Sequence, residues 1–168
     1  FGYPLTIITK TLKNAKVNEL WWEMRSTAGV TEIPAHKAYR PCVRALQKNG
    51  LVGFMLDQNR PTPQGVFVNF FGRLASTTPG LAFMSAQTGA PVVPVFMRRT
   101  PEGRHVLEAR PILEPPPDRK EETLLAFTAT CTQIIEGEVR RYPSQWLWLH
   151  KRWKSRPVEE SSPASATP

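Results

Sequence analysis

Apolar positions change their spacing repeatedly along this chain, and each change marks an element. Residues 4–9 (PLTIIT) are a β-branched apolar run and predict a strand. Behind Asn14, a candidate N-cap, Val17, Leu20, Trp21, Met24 and Ala28 recur at helical spacing until Gly29 stops the helix. A short strand is expected over 31–33. The stripe Tyr39, Cys42, Val43, Leu46 predicts a second helix over 37–48, closed by Asn49-Gly50. Residues 51–56 (LVGFML) read as a strand buried on both faces, as in a parallel sheet covered by helices.

The polar residues Asp57-Gln58-Asn59-Arg60 follow directly and open a loop bearing proline and glycine up to Gly65. Open α/β sheets keep their sites in that position, outside the carboxyl ends of the strands. Residues 66–72 (VFVNFFG) are a short aromatic run. Thr78 is expected to cap a helix with Pro79 at its first position and Gly89 beyond its end. Strands over 91–97 and 104–112, joined by the Pro101-Glu102-Gly103 turn, predict a hairpin. Asp118 and Glu121 resemble a capping box for a long helix with the stripe Leu124, Phe127, Cys131, Ile134, Ile135, Val139 and Tyr142.

This alternation predicts an α/β domain over residues 1–157, built as three layers with a mixed, mostly parallel sheet flanked by helices. Residues 158–168 are small, polar and proline-bearing and predict a disordered tail. The chain opens on a strand with nothing to cover it, so the domain is read as N-terminally incomplete.

With 168 residues, 40% of them apolar, the chain is long enough to bury one substantial core. Cys42 and Cys131 lie far apart, outside any CxxC or Cys/His grouping, so no zinc site or disulfide framework is expected and a reducing compartment fits. No basic n-region followed by an apolar h-region marks a signal peptide. The uncharged stretch between Arg73 and Arg98 is broken by Ser76, Pro79, Gly89, Pro91 and Pro94 and does not read as a membrane span.

Charge narrows the partner. The net charge is +8, and residues 1–157 alone carry +10 because the tail holds only Glu159 and Glu160. A phosphorylated lipid, an acidic carrier protein and nucleic acid all satisfy that balance. Residues 143–156 (PSQWLWLHKRWKSR) contain no acidic residue and interleave three tryptophans with His150, Lys151, Arg152, Lys154 and Arg156. Such a stretch suits an anionic membrane interface, where tryptophan settles at headgroup level. It equally suits a core closed by tryptophans with charges facing water, and thirdly single-stranded nucleic acid.

Asp57 could orient a catalytic histidine, bind a donor or cap its turn. His36, His105 and His150 are the available imidazole bases, none in a spacing that announces catalysis. Both cysteines sit on helix stripes and read as buried apolar groups. Arg25, Arg73 and the pair Arg98-Arg99 could converge on phosphate or carboxylate, since guanidinium forks bind oxygens bidentately. Arg25 in a last helical turn also complements the helix dipole.

Taken in order, EMRSTAG (23–29), GLVGFMLDQN (50–59), GVFVNFFGRLASTTPG (65–80), APVVPVFMRR (90–99) and PSQWLWLHKRWKSRP (143–157) resemble the bacterial lipid A biosynthesis acyltransferase family. This is a branch of the lysophospholipid acyltransferases, and the resemblance spans nearly all of residues 1–157. It implies transfer of a fatty acyl chain from acyl carrier protein, or acyl-CoA, to a hydroxyl of a lipid A precursor. The place implied is the cytoplasmic face of the bacterial inner membrane, with no metal or bound cofactor.

The family's catalytic base is a histidine with an acidic residue five positions later. No acidic residue stands five positions after His36, His105 or His150, so the resemblance places that pair upstream of Phe1 and implies an inactive chain by itself. By matching position it implies that Arg25, Asp57 and Gln58 line the substrate and that Phe70, Phe71, Thr77 and Thr78 shape the acyl or acceptor pocket. Arg73, Arg98 and Arg99 are expected to face phosphate or the membrane, as are His150, Arg152 and Lys154 of the closing motif, whose role could equally be structural. Asn59 departs from the acidic residue the family often carries there. The competing readings are a non-catalytic module binding anionic lipid and, third and disfavoured, a nucleic-acid-binding domain.

Overall fold

The computed structural model describes residues 4–157; the expected tail at 158–168 lies outside the described residues. The chain is α/β and divides after Met55 into two compact units. In the first, β1 (Leu5–Thr9), α1 (Ala15–Thr27), β2 (Val30–Pro34), α2 (Tyr39–Gln47) and β3 (Leu51–Gly53) alternate. The three strands run parallel in the order β2-β1-β3, with β1 central. Asn14 caps α1 as expected, its side chain accepting from the Val17 N–H at 3.2 Å. α2 closes on Asn49 in the left-handed region (φ 57°), and the Gly50 N–H donates to the Ala45 carbonyl at 2.9 Å. A Cβ on Gly50 would lie 2.9 Å from that same oxygen, which is why glycine ends this helix.

The second unit contains β4 (Val66–Phe70), β5 (Arg73–Thr77), α3 (Gly80–Thr88), β6 (Val95–Arg99), β7 (His105–Ala109) and α4 (Glu121–Arg141). β4 with β5 and β6 with β7 are antiparallel hairpins, the second as predicted. Phe70, Ala75 and Val139 form the buried centre, with Phe71, Ile135, Trp146 and Trp153 packed around it. Thr128 and Thr132 are buried on α4 and return their hydroxyls to the carbonyls of Leu124 and Thr128, which removes the penalty of an unpaired buried polar group. No helix among the described residues is long and apolar enough to cross a membrane.

Four expectations need correction. The single mixed sheet is instead three small sheets, one parallel and two antiparallel. Pro91 and Pro94 lack the N–H that a ladder needs, so the expected strand over 91–97 is reduced to one bridge between Val92 and Leu113 and to β6, which pairs only with β7. The run 51–56 is a strand only to Gly53; β3 pairs with β1 alone, and its Leu51 is exposed, so it is an edge and not a strand buried on both faces. The capping box does not form either: α4 begins at Glu121, and the Asp118 carboxylate accepts from the Lys120 N–H at 3.0 Å. Thr78 does place its hydroxyl under the Gly80 N–H at 3.2 Å, with Gly89 closing α3 at φ 69°.

The aromatic run 66–72 turned out to hold a hairpin turn. Phe70 pairs with Arg73, leaving Phe71-Gly72 as a two-residue loop with both φ values positive, 56° and 75°. Such loops match the twist of the strands they join, but their first position is ordinarily Asn, Asp or Gly. Phe71 is held there from outside. Its N–H donates to Glu136 Oε2 at 2.7 Å, its ring meets Phe70 edge-on at 4.8 Å, and the Arg140 guanidinium lies 4.6 Å over it.

Glu136 therefore fastens the hairpin to α4, and the Phe71 N–H, aided by Arg140, holds its carboxyl below the usual carboxylate range. Glu136→Ala is expected to lower unfolding free energy by about 1–3 kcal/mol at neutral pH in urea titrations. A carboxyl whose native pKa is depressed stabilises fully above its unfolded value of about 4.3 and loses that contribution as pH falls through the native pKa. The gap between wild type and variant should accordingly narrow with acidification below that value; a pH-independent gap would contradict the assignment.

Candidate functional site

The closing segment, residues 146–156, turns back over the loop that follows Leu56 and over the β4–β5 hairpin. It has no regular repeat and is held by short turn bonds, among them His150 N to Leu147 O at 3.1 Å and Arg152 N to His150 O at 2.8 Å. Its strongest anchor is Arg152, only 2% exposed. One guanidinium nitrogen donates to the Ser76 carbonyl at 2.8 Å, the other to Thr77 Oγ1, and the group lies 5.4 Å over the Phe70 ring. Ser76 O also accepts the Arg60 N–H at 3.0 Å, so one carbonyl ties loop, strand and closing segment together. Gly65 is required where the loop returns: a Cβ there would sit 2.1 Å from Ser76 Oγ.

Burial lowers the Arg152 pKa to about 10, against the Asp57 carboxylate, which favours the charged form. The guanidinium thus remains protonated at neutral pH. It is a fixed positive charge with neutral acceptors, and its Nε finds no partner.

Asn59 supplies a second fastening. Its backbone N–H donates to His150 Nε2 at 2.9 Å, its side-chain nitrogen donates to Ser155 Oγ at 3.1 Å, and its side-chain oxygen accepts the Ser155 N–H at 3.1 Å. A carboxylate at 59 could accept but not donate, so the departure from an acidic residue suits this two-way bond. His150 Nε2 is thus engaged as the acceptor of a backbone N–H. Around these bonds Phe70 packs on Trp146 (6.2 Å between centroids) and Trp153 (5.6 Å), and Arg73 lies 5.8 Å over Trp153.

The expected site residues thus fall into groups. Phe70, Phe71, Arg73, Thr77, His150 and Arg152 are brought together, with Asp57 half-buried on the adjoining loop and Gln58 exposed beside it. Phe70 and Thr77 are wholly buried and have no surface to offer a ligand. Thr78 is occupied at the start of α3, and Lys154 is exposed. Arg98 stands apart in an ion-pair network between the β6–β7 hairpin and α4: it contacts Glu108 at 2.9 Å, and Arg110 bridges Glu108 (3.0 Å) and Glu138 (2.6 Å). The Arg98 bond holds the Glu108 carboxyl below its usual range. Neighbouring Arg99 is exposed, and its backbone exchanges two hydrogen bonds with the Gln145 side chain. Arg25, in the first unit, contacts Glu32 at 3.2 Å and stacks 4.6 Å over Trp21.

Sequence reasoning missed Gly65, Ser76, Glu136 and Ser155, whose roles come from backbone contacts that leave no trace in spacing. Both cysteines are buried, and burial raises the Cys131 thiol to about 11, so neither is an activated nucleophile. Among the described residues no group of His, Cys, Asp and Glu side chains could hold a metal ion.

The chain belongs to the bacterial lipid A biosynthesis acyltransferase family, whose pattern matches residues 2–155. It is 30% identical over 142 residues to the lipid A biosynthesis lauroyltransferase of Escherichia coli (strain K12), covering 83% of this chain and 44% of that protein. It is 35% identical over 125 residues to the lipid A biosynthesis palmitoleoyltransferase of the same organism, covering 73% and 40%. A phosphatidylinositol mannoside acyltransferase of Mycolicibacterium smegmatis is 24% identical over 159 residues, covering 89% and 49%. The chain thus spans less than half the length of each of these relatives.

Arg152→Ala should remove the anchor and leave a void beside Phe70, lowering stability by about 2–4 kcal/mol in denaturant titrations. Exposed Lys154→Ala should stay within about 0.5 kcal/mol of wild type. Equal effects of the two substitutions would contradict the inward placement of Arg152.

Proposed function

We propose that this chain is part of an enzyme that transfers a fatty acyl group from an acyl thioester to a hydroxyl of a lipid A precursor or related anionic glycolipid. The donor in this reading is acyl carrier protein or acyl-CoA, and the place is the cytoplasmic face of the bacterial inner membrane. The observation that carries it is family membership over residues 2–155. Relatives named for lauroyl and palmitoleoyl transfer in lipid A biosynthesis support the reaction class. One named for acylating phosphatidylinositol mannoside supports a phosphorylated glycolipid as the acceptor class. The +10 charge of residues 1–157 suits both a phosphorylated acceptor and an acidic carrier.

In the reaction the acceptor oxygen attacks the thioester carbon, the C–O ester bond forms, and the C–S bond breaks. The hydroxyl proton leaves to a base and ends on the departing thiol. The histidine-acid pair that would act as base does not occur in this sequence, and without it the chain by itself is proposed to be inactive. Its own contribution in this reading is to hold the acceptor. In the second unit, Asp57 and Gln58 line the substrate, Phe71 and Thr78 border it, and Arg73, Arg99 and Lys154 supply positive charge toward its phosphates; in the first unit, Arg25 is the residue proposed to meet substrate. Phe70, Thr77, His150 and Arg152 shape that surface from behind.

The test is acyl transfer by the complete protein carrying this chain, using an acyl thioester and a lipid A precursor. Arg25→Ala is expected to lower kcat/KM about tenfold or more if Arg25 positions substrate. Glu32→Gln, which removes only the intramolecular partner, should leave the rate nearly unchanged. Equal losses in the two variants would show Arg25 to be structural, and a complete protein that binds lipid without thioester-dependent acylation would favour the non-catalytic reading.

A further inference from the structure

The closing segment sorts its side chains into two sets. Trp146, His150, Arg152 and Trp153 are turned inward and used by the fold. Leu147, Trp148 and Leu149 are turned out, 67%, 54% and 89% exposed. Lys151, Lys154 and Arg156 are exposed just beyond them, without an ion-pair partner among the described residues, and no acidic residue occurs from 143 to 157.

We propose that Leu147-Trp148-Leu149 is a membrane-docking tip that seats in the interface of an anionic bilayer, with Lys151, Lys154 and Arg156 against its phosphates. This deepens the membrane-side reading above and does not depend on acyl transfer. The tip is pre-organised. The Trp148 indole N–H donates to the Pro143 carbonyl at 2.8 Å, its ring lies 6.3 Å from that of Phe71, and the residues behind it are pinned by Arg152 and Asn59. A loop already fixed in its exposed form loses little further freedom on docking.

The chemistry of the tip selects the occupant. Two leucines flanking a tryptophan match hydrocarbon below and headgroups above, and the cations beyond them match lipid phosphate. Nucleic acid would use the lysines but gives Leu147 and Leu149 nothing to contact, since base recognition proceeds by stacking and hydrogen bonding. A second copy of the chain would bring its own unpaired lysines and arginine against these, and like charges repel.

The experiment is co-sedimentation of the 168-residue chain with vesicles of phosphatidylcholine alone or mixed with phosphatidylglycerol, without any acyl donor. Binding is expected to the mixed vesicles and to weaken with added salt. The pair Leu147→Ser with Leu149→Ser and, separately, the pair Lys151→Glu with Lys154→Glu should each lower partitioning about tenfold or more, with unchanged circular dichroism. Brominated lipid should quench wild-type fluorescence more than that of Trp148→Phe. Absence of vesicle binding, or binding equal in wild type and both double variants, overturns the proposal. So does lipid-independent self-association abolished by the leucine pair, or oligonucleotide binding lost with the lysine pair while vesicle binding persists. Because no donor is present, failure here leaves the acyl-transfer reading untouched, and a failed acylation assay leaves this one untouched.

Discussion

The second unit depends on a single buried cation. Arg152 reaches back from the last turns of the chain to the Ser76 carbonyl and the Thr77 hydroxyl, and its guanidinium covers the Phe70 ring. Taking a charge out of water is costly, and the cost is offset only where the group keeps hydrogen bonds and an opposing charge in reach. Two neutral acceptors and the field of the Asp57 carboxylate do that here. With Arg152 in place, the loop 57–65, the β4–β5 hairpin and the closing segment share bonds through Ser76, Asn59 and Ser155.

That constraint decides which residues remain for function. Side chains drawn into the anchor already have partners within the protein: His150 accepts a backbone N–H, and Phe70 and Thr77 are sealed; away from the anchor, the Arg98 charge is matched by Glu108. Near the anchor, the described residues left outward include Gln58 on the polar loop beside a half-buried Asp57, the cations Lys151, Lys154 and Arg156, and the apolar tip Leu147-Trp148-Leu149.

Much of this was legible in the sequence. Helical spacing found α1, α2 and α4, the Pro101-Glu102-Gly103 turn found the β6–β7 hairpin, and the ordered motifs found the family. The β4–β5 hairpin was not legible because Phe71 occupies a turn position that ordinarily signals itself with Asn, Asp or Gly, and what holds it there comes from Glu136, far along the chain. The closing segment was legible as basic and aromatic but not as two-sided. Irregular turns have no period, so adjacent residues such as His150 and Lys151, or Trp153 and Lys154, gave no sign of which would face inward. The extent of the sheet was overestimated at 51–56 and at 91–97, in the second case because Pro91 and Pro94 interrupt an otherwise apolar run.

The most direct test of this account is native-state hydrogen exchange at the amides of Asn59, Arg60 and Ser155. Their acceptors are His150 Nε2, the Ser76 carbonyl and Asn59 Oδ1. If Arg152 locks the closing segment to the hairpin, these amides should exchange only through the same opening that releases the β4–β5 ladder, with matching free energy and denaturant dependence. Rapid exchange at all three while the β4–β5 amides stay protected would show that the segment is loosely attached, and would contradict the account.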